Sequence, residues 1–428
     1  MLIRLIFVLS LGNNRLLDVE DQPVFISMGK NIASGKGMQV STDAFKKNMK
    51  AVFGIVPPDK PTAFFEPGLP VSVGISYKLF GANHTGYRVM QVFISAFSLW
   101  GVFWIGNRFG GYKLGLYSLI VSALYPSFIF FTGSYTSQTV FMAVLMITIV
   151  AYFKWEDKPT FPRALLLGLL WGLAFLNRTA MLALLPFICV LMLWSPSVNE
   201  KDWRKKIVSI GFMVFGFAVV ISPWVVRNYM VFDEFILLPK KGGRNLWEYN
   251  NGKFTDQFLS PDFKTDGIER LYQDMGRKMK PGLAKKELIP FPEFENETET
   301  ERDEILYNNV KEFLIANPKV LITFSAIRFY QFFRILPGKH QNIFAKIAAW
   351  LSIGWVIPLS IVGMWMVRKE WKKWLFIYVF FILFLGFHTI SASGIPHRTP
   401  IEPLLILFAV SALMKIGFVP KITQGLHL

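Results

Sequence analysis

Apolar runs of about 20 residues recur along the chain, and no other feature limits its fold so strongly. A bilayer core takes about 20 predominantly apolar residues per helix, with a range of roughly 17–25. Runs near that size fall at 87–106, 114–132, 138–154, 164–177, 180–194, 207–226, 343–366, 374–390 and 399–416. Residues 2–12 add a shorter run, read as a first span cut short. No small-residue cleavage site follows Leu11, which argues against a signal peptide, and a start further upstream stays open. The expectation is an all-α polytopic membrane protein of about ten transmembrane helices. Composition agrees. Hydrophobic residues make up 53% and charged residues 18%, against about 25% charged in soluble domains, which excludes an ordinary soluble globule and a disordered chain. The single cysteine, Cys189, sits in an apolar run and excludes a disulfide framework or a Cys-rich metal site.

The chain carries 46 Lys and Arg against 29 Asp and Glu, a net charge of +17. Such an excess suits either nucleic acid or the cytoplasmic loops of a membrane protein. Position decides. Arg108 and Lys113 share one short connection, and Lys154, Lys158 and Arg163 another. Lys201, Arg204, Lys205 and Lys206 form a third, and Arg368, Lys369, Lys372 and Lys373 a fourth, with Lys415 and Lys421 near the end. An even number of spans separates each pair of clusters, so all lie on one side, the cytoplasm. The charge is therefore topology, and no nucleic-acid partner is expected.

The same parity makes Pro67 to Gly81 an interfacial or re-entrant helix on the outer face, because it is only about 15 residues long and carries Lys78. Gln22 to Ser34 is read as a second such helix, with Val24, Phe25, Met28 and Ile32 on a face opposite Ser27, Lys30 and Asn31. The expected organisation is an N-terminal transmembrane module, 1–226, holding a first exterior catalytic loop at 13–86. An exterior loop with a juxtamembrane helix, 227–342, and C-terminal transmembrane helices, 343–428, follow.

Asp18, Glu20 and Asp21 crowd the start of the first exterior loop, where a carboxylate could serve as general base or cation ligand. The plainer reading is a solvated loop, with Asp21 capping the helix that follows. Arg88, Arg178, Arg227 and Arg398 all stand at outward-facing ends of spans, with Lys60, Lys240 and Lys241 in the loops. Any one of them can simply snorkel to the headgroups; together they suit an anionic headgroup, for which the planar Arg fork is the better clamp. His388 and His397 lie near the last exterior loop. No Walker, HExxH or GxSxG pattern occurs, and the Gly242-Gly243 and Asn250-Asn251 turns lack the strand and helix a nucleotide site needs.

With these residues in place, the sequence resembles the GT-C superfamily of polytopic glycosyltransferases, specifically the family-39-like bacterial proteins related to protein O-mannosyltransferases and lipid A aminoarabinose transferase. Asp21-x-x-x-Phe25 and Ala33-Ser34-Gly35-Lys36-Gly37 resemble the family's opening. Phe65-Glu66-Pro67-Gly68-Leu69-Pro70 to Leu79-Phe80-Gly81, then Arg88, resemble its exterior helix. Ala123-Leu124-Tyr125-Pro126 and Gly172-Leu173-Ala174 to Arg178 match further pieces. The most specific match is Pro223-Trp224-Val225-Val226-Arg227-Asn228-Tyr229 with Gly243 and Asn250-Asn251, and Arg398-Thr399-Pro400-Ile401-Glu402-Pro403 resembles the close. Three positions depart from the pattern: Phe25 for Tyr, Gln138 where many relatives carry Glu, and Pro396 for the first arginine of the ending.

The resemblance implies inverting transfer of one sugar from a polyprenyl-phosphate carrier to an envelope acceptor, whether protein, lipid A or glycan. It places the site on the non-cytoplasmic face of the inner membrane, among membrane lipids. It implies Asp21 as catalytic base, and Lys60, Glu66, Arg88, Arg178, Arg227, Asn228 and Arg398 as substrate-binding residues. No cofactor is certain, and a divalent metal stays open. The phosphate leaving group needs cations rather than a general acid, unlike a glycosidase with its two carboxyls. A transporter or flippase would show mid-membrane ionisable groups, and almost none are visible. A polysaccharide polymerase or ligase fits the motif order poorly, and a catalytically inactive relative stays open through Gln138 and Pro396.

Overall fold

The computed structural model describes residues 1–13, 15–17, 19, 21–44, 55–194, 203–250, 289, 291–336 and 343–417. Asp18, Glu20, Lys201, Asn251 and Lys421 lie outside them. Within the described residues the protein is all-helical, and the one extended pairing is an antiparallel bridge between Gln39 and Pro61. The helices are α1 (Leu2–Leu11), α2 (Gln22–Ala33), α3 (Gly68–Phe80), α4 (His84–Leu124), α5 (Gln138–Asp157), α6 (Phe161–Asn177) and α7 (Ala180–Trp194). They continue as α8 (Trp203–Phe232), α9 (Gly242–Tyr249), α10 (Glu299–Ala316), α11 (Pro318–Phe333), α12 (Ile343–Met366), α13 (Trp371–Ile390) and α14 (Glu402–Lys415).

Five stretches, at α4, α5, α8, α12 and Arg368–Ile390, are long and apolar enough to cross a membrane, and α1, α6 and α7 are shorter apolar helices. Phe93, Phe97, Phe215, Phe344 and Ile382 are each more than half exposed around the bundle. A water-facing surface would not carry so many large apolar side chains in the open; lipid accepts them. The protein is a multi-pass membrane protein. The α5 helix runs through the middle, with 83% of its most apolar stretch buried.

Two expected spans, 87–106 and 114–132, prove to be the legs of α4, which folds back at Gly110 and Gly111. Gly111 has φ +77°, a left-handed conformation that a Cβ would strain. The second leg stops at Leu124, short of the expected 132, because Pro126 removes a donor and holds Tyr125 extended; Pro126–Thr132 is a separate short helix. Asn83 caps α4, accepting from the Thr85 and Gly86 amides, and Thr298 with Glu301 forms a capping box on α10.

The basic turns meet at one end of the bundle. Arg108 pairs with Asp157 at 2.6 Å and Glu156 at 3.4 Å, and Lys373 Nζ donates to the Phe109 carbonyl at 2.5 Å. Arg163 donates to the Lys154 carbonyl at 2.5 Å. The far end carries a cap in which the two long loops share one core. Val24, Met28, Val40, Ile55 and Phe64 of the first pack with Trp247, Leu306, Val310 and Phe324 of the second and with Trp224 of α8. That shared core corrects the expected amphipathic pattern of α2. Ser27 and Asn31, assigned to its solvent face, are buried because Asn31 Nδ2 donates to the Gln39 carbonyl (2.9 Å) and Ser27 Oγ accepts from the Ser41 amide (2.9 Å). Lys30 alone of that face stays exposed.

The α6 and α8 helices pack backbone to backbone. A Cβ on Gly168 would stand 1.9 Å from the Met213 carbonyl oxygen, a rigid neighbour. Gly168→Val is therefore expected to destabilise the protein by about 3 kcal/mol or more, beyond the 1–3 kcal/mol of ordinary overpacking. Thermal unfolding in detergent checks this; a midpoint equal to that of the unsubstituted protein contradicts such close packing.

Candidate active site

The cap end gathers some of the candidate residues and spends others on structure. Gln22, buried at the first turn of α2, accepts from the Tyr135 amide at 3.0 Å and donates to the Leu17 carbonyl, which pins the start of α2 beside the turn before α5. Asp21 sits at the N-cap position, yet its side chain makes no capping hydrogen bond, and its carboxylate is exposed. The helix takes its start from Pro23 instead, whose missing N–H costs nothing there. A capping role does not account for Asp21.

Glu66 and Arg178 come together because α3 begins against the end of α6. A Cβ on Gly68 would stand 2.6 Å from the Asn177 side-chain amide, so the glycine lets the two helix ends approach without displacing that amide. Half-buried Glu66 accepts from Lys241 Nζ. Burial would raise the Glu66 carboxyl, but the Lys241 ammonium outweighs it and holds the group below the usual carboxylate range, with Arg178 adding to the effect. Arg178 Nη2 donates to the Pro396 carbonyl at 3.0 Å, and its guanidinium lies 5.6 Å from the Phe141 ring centroid. Tyr249, closing α9, is within electrostatic reach of both Asp21 and Arg178, and its ring stands 6.4 Å from that of His397. The cluster is thus Glu66, Arg178, Lys241, Tyr249 and His397, with the exposed Asp21 within electrostatic reach of it at Tyr249. Two of the three departures from the resembled pattern also meet here, since Gln138 Nε2 donates to the same Pro396 carbonyl at 3.1 Å.

Four expected ligands are engaged elsewhere. Arg88 is fully buried, donating to the carbonyls of Gly133 (3.0 Å), Gly12 (2.6 Å) and Arg15 (2.5 Å), so it ties the first loop to the bundle. Arg227 donates to the carbonyls of Thr62 (3.0 Å) and Met38 (3.2 Å) and to Asn228 Oδ1 (2.9 Å), while Asn228 Nδ2 donates to the Ile236 carbonyl (3.0 Å). This most family-specific stretch clamps the two loops together. Arg398 pairs with buried Glu402 at 2.7 Å and donates to the Phe332 and Arg334 carbonyls, fastening α14 to the end of α11. The physical reason is common to these arginines: their donors are consumed by buried acceptors that would otherwise go unpaired. Lys60 is exposed, and no hydrogen bond or ion pair joins its side chain to the cluster. Among the described residues no three His, Cys, Asp or Glu side chains gather as a metal would require.

Sequence reasoning passed over Arg328, Tyr249 and Glu299. Arg328 donates to the Tyr249 carbonyl (2.6 Å), Asn250 Oδ1 (3.0 Å) and the Thr389 carbonyl (2.7 Å), which sets α9 against α13. Its partners are 61 to 79 residues away, and only the Asn250 turn hinted at it. Glu299 Oε1 accepts from the Ala63 amide at 2.7 Å, and burial pushes its carboxyl up to about 7. A folded value above the unfolded 4.5 means that the folded state holds the proton longer. Stability is then full below the unfolded value and is lost as pH rises towards 7, by about 3 kcal/mol at most. Glu299→Gln keeps an acceptor for Ala63 and is expected to raise the unfolding midpoint at pH 8 while changing little at pH 4.5. A lower midpoint at pH 8 would show that the carboxylate is ionised and paired with Arg227.

The sequence profile of the dolichyl-phosphate-mannose-protein mannosyltransferases matches residues 59–226. No curated protein matches the sequence. Among solved structures, the archaeal oligosaccharyltransferase AglB from Archaeoglobus fulgidus, in complex with an inhibitory peptide and a dolichol-phosphate, superposes with a TM-score of 0.53 at 12% identity. The match covers 97% of this chain and 50% of that one, so this chain spans about half the archaeal protein's length. ArnT from Cupriavidus metallidurans bound to undecaprenyl phosphate aligns over 97% of this chain and 76% of its own, at 12% identity and a TM-score of 0.42. The chain has the GT-C fold of membrane glycosyltransferases.

Proposed function

We propose that this GT-C-fold membrane protein is a glycosyltransferase that moves one sugar from a polyprenyl-phosphate donor to a hydroxyl acceptor at the cap end of the bundle. The observation that carries the reading is the exposed, uncapped Asp21 carboxylate beside a cluster holding Arg178 and Lys241. The fold supports it, and in the archaeal AglB structure the same fold accompanies a dolichol-phosphate.

In this reading the acceptor hydroxyl gives its proton to Asp21 as its oxygen attacks the anomeric carbon from the face opposite the phosphate. The carbon–oxygen bond to the phosphate breaks, and its electron pair stays on the phosphate oxygen. Products are the glycosylated acceptor and free polyprenyl phosphate, with the anomeric configuration inverted. Negative charge grows on the departing phosphate, where Arg178 and Lys241 stabilise it. Glu66 holds Lys241 in place and orients the acceptor. The apolar surface between spans takes the prenyl chain. Lys60, Arg88, Arg227, Asn228 and Arg398 bear on the substrate through the loops they hold or by closing over it. The cap faces the periplasm or exterior of the inner membrane, because the opposite end carries the basic turns.

Purified membranes containing the protein are expected to release free polyprenyl phosphate from at least one polyprenyl-phosphate sugar when given an envelope fraction as acceptor. No release from any donor, with folded protein present, overturns the transferase reading.

A further inference from the structure

Beside Arg178, the ends of α5 and α13 and the turn at 391–398 build a polar wall that the proton and phosphate chemistry leaves unused. His388 is 3% exposed and Gln138 5%, so both are side chains removed from solvent at a point where the spans meet the cap. His388 Nδ1 lies 2.8 Å from the Ala392 carbonyl, so this nitrogen carries the proton and Nε2 is left as an acceptor. Gln138 spends its amide N–H on Pro396, which leaves Oε1 as an acceptor too. Among the described residues neither acceptor has a donor, nor do His397 Nδ1, the hydroxyls of Thr389 and Ser393, or Arg178 Nε find partners. The imidazole rings of His388 and His397 stand 4.9 Å apart, and Pro396, next to His397, links Gln138 to Arg178.

Buried polar atoms are normally paired, and a group of them left open in one place calls for a ligand with matching chemistry. A phosphate offers acceptors alone, which suits Arg178 but not Gln138 Oε1 or His388 Nε2. Sugar hydroxyls both donate and accept, and suit the whole set. Burial first, then the neighbouring His388 imidazole and the cations Arg178 and Lys241, hold the His397 imidazole well below the ordinary range. The carboxylates nearest this wall are Glu66, which is already paired with Lys241, and the exposed Asp21.

We propose that Gln138, His388 and His397 bind the transferred sugar through its hydroxyls, and that this wall selects a neutral hydroxylated sugar over one bearing an ammonium group. The inference rests on the transferase reading above and deepens it. An ammonium here would meet the like charges of Arg178 and Lys241 in a site removed from solvent, with the Glu66 carboxylate already paired to Lys241, and like-charge mismatches of this kind discriminate between ligands.

The test offers the full-length protein in detergent two matched donors, a polyprenyl-phosphate hexose and its analogue with one ring hydroxyl replaced by an ammonium. Release of polyprenyl phosphate and donor-induced thermal stabilisation are both read. The neutral donor is expected to show kcat/KM at least ~10-fold higher and the larger stabilisation. Gln138→Glu, which adds a carboxylate to the wall, is expected to narrow or reverse the preference. Equal or faster use of the ammonium donor overturns this inference and leaves the transferase reading standing. Turnover of neither donor defeats the transferase reading, and the stabilisation then decides. Sugar-free polyprenyl phosphate stabilising as well as the neutral donor shows that the wall does not touch sugar.

Discussion

Asp21→Asn is expected to lower single-turnover sugar transfer by at least ~100-fold, the scale on which general-base catalysis acts. The amide occupies the same volume but cannot take the acceptor's proton. Because the carboxylate is exposed and caps nothing, the substitution removes no hydrogen bond from α2. The loss should therefore appear in the rate at saturating donor, with the unfolding midpoint unchanged. Free polyprenyl phosphate released in one turnover, compared between the two proteins at equal folded concentration, measures it directly. A rate within about threefold of the unsubstituted protein would remove Asp21 from the base position. Glu66 is a poor substitute, since Lys241 keeps its carboxyl below the usual range and occupies it.

Arg178→Ala is expected to cost about 100- to 1,000-fold in the same rate, as removing one preorganised donor to a developing charge does elsewhere. Arg178 already has one donor on the Pro396 carbonyl, which fixes the guanidinium before substrate arrives. Its Nε has no protein partner, so a donor is available to an incoming oxygen. A purely structural role would lower the unfolding midpoint and leave the residual rate insensitive to charge. Arg178→Lys separates the two: it restores part of the rate if charge on the leaving phosphate matters, and nothing if only the Pro396 contact does. Equal rates for Ala, Lys and Arg at this position would rule out Arg178 as the phosphate ligand.

The all-helical membrane fold and its longest apolar helices were legible in the residues, because twenty apolar side chains in a row have few destinations other than lipid. The break after Leu124 was less so. An apolar run continues through Pro126, and hydropathy is blind to the missing N–H that divides it. Ser27 and Asn31 show the reverse failure, since a polar face looks the same from sequence whether water or a buried carbonyl awaits it.

For the site, residue type and order nominated Asp21, Glu66 and Arg178; the fold sets Glu66 and Arg178 within electrostatic reach of each other and Asp21 within reach of Tyr249. Sequence could not sort those arginines from Arg88, Arg227 and Arg398. All four arginines close or open a span at the same membrane face, and what distinguishes them is how many buried carbonyls surround each guanidinium. The same holds for the joining of Gln138 to the His397 turn through Pro396, a residue 258 positions away. Hydrophobic periodicity and charge are properties of neighbours along the chain, so the sequence alone settled the fold class. Whether a polar side chain is a structural staple or an open ligand depends on partners brought in from far along the chain, and only the tertiary structure decided that.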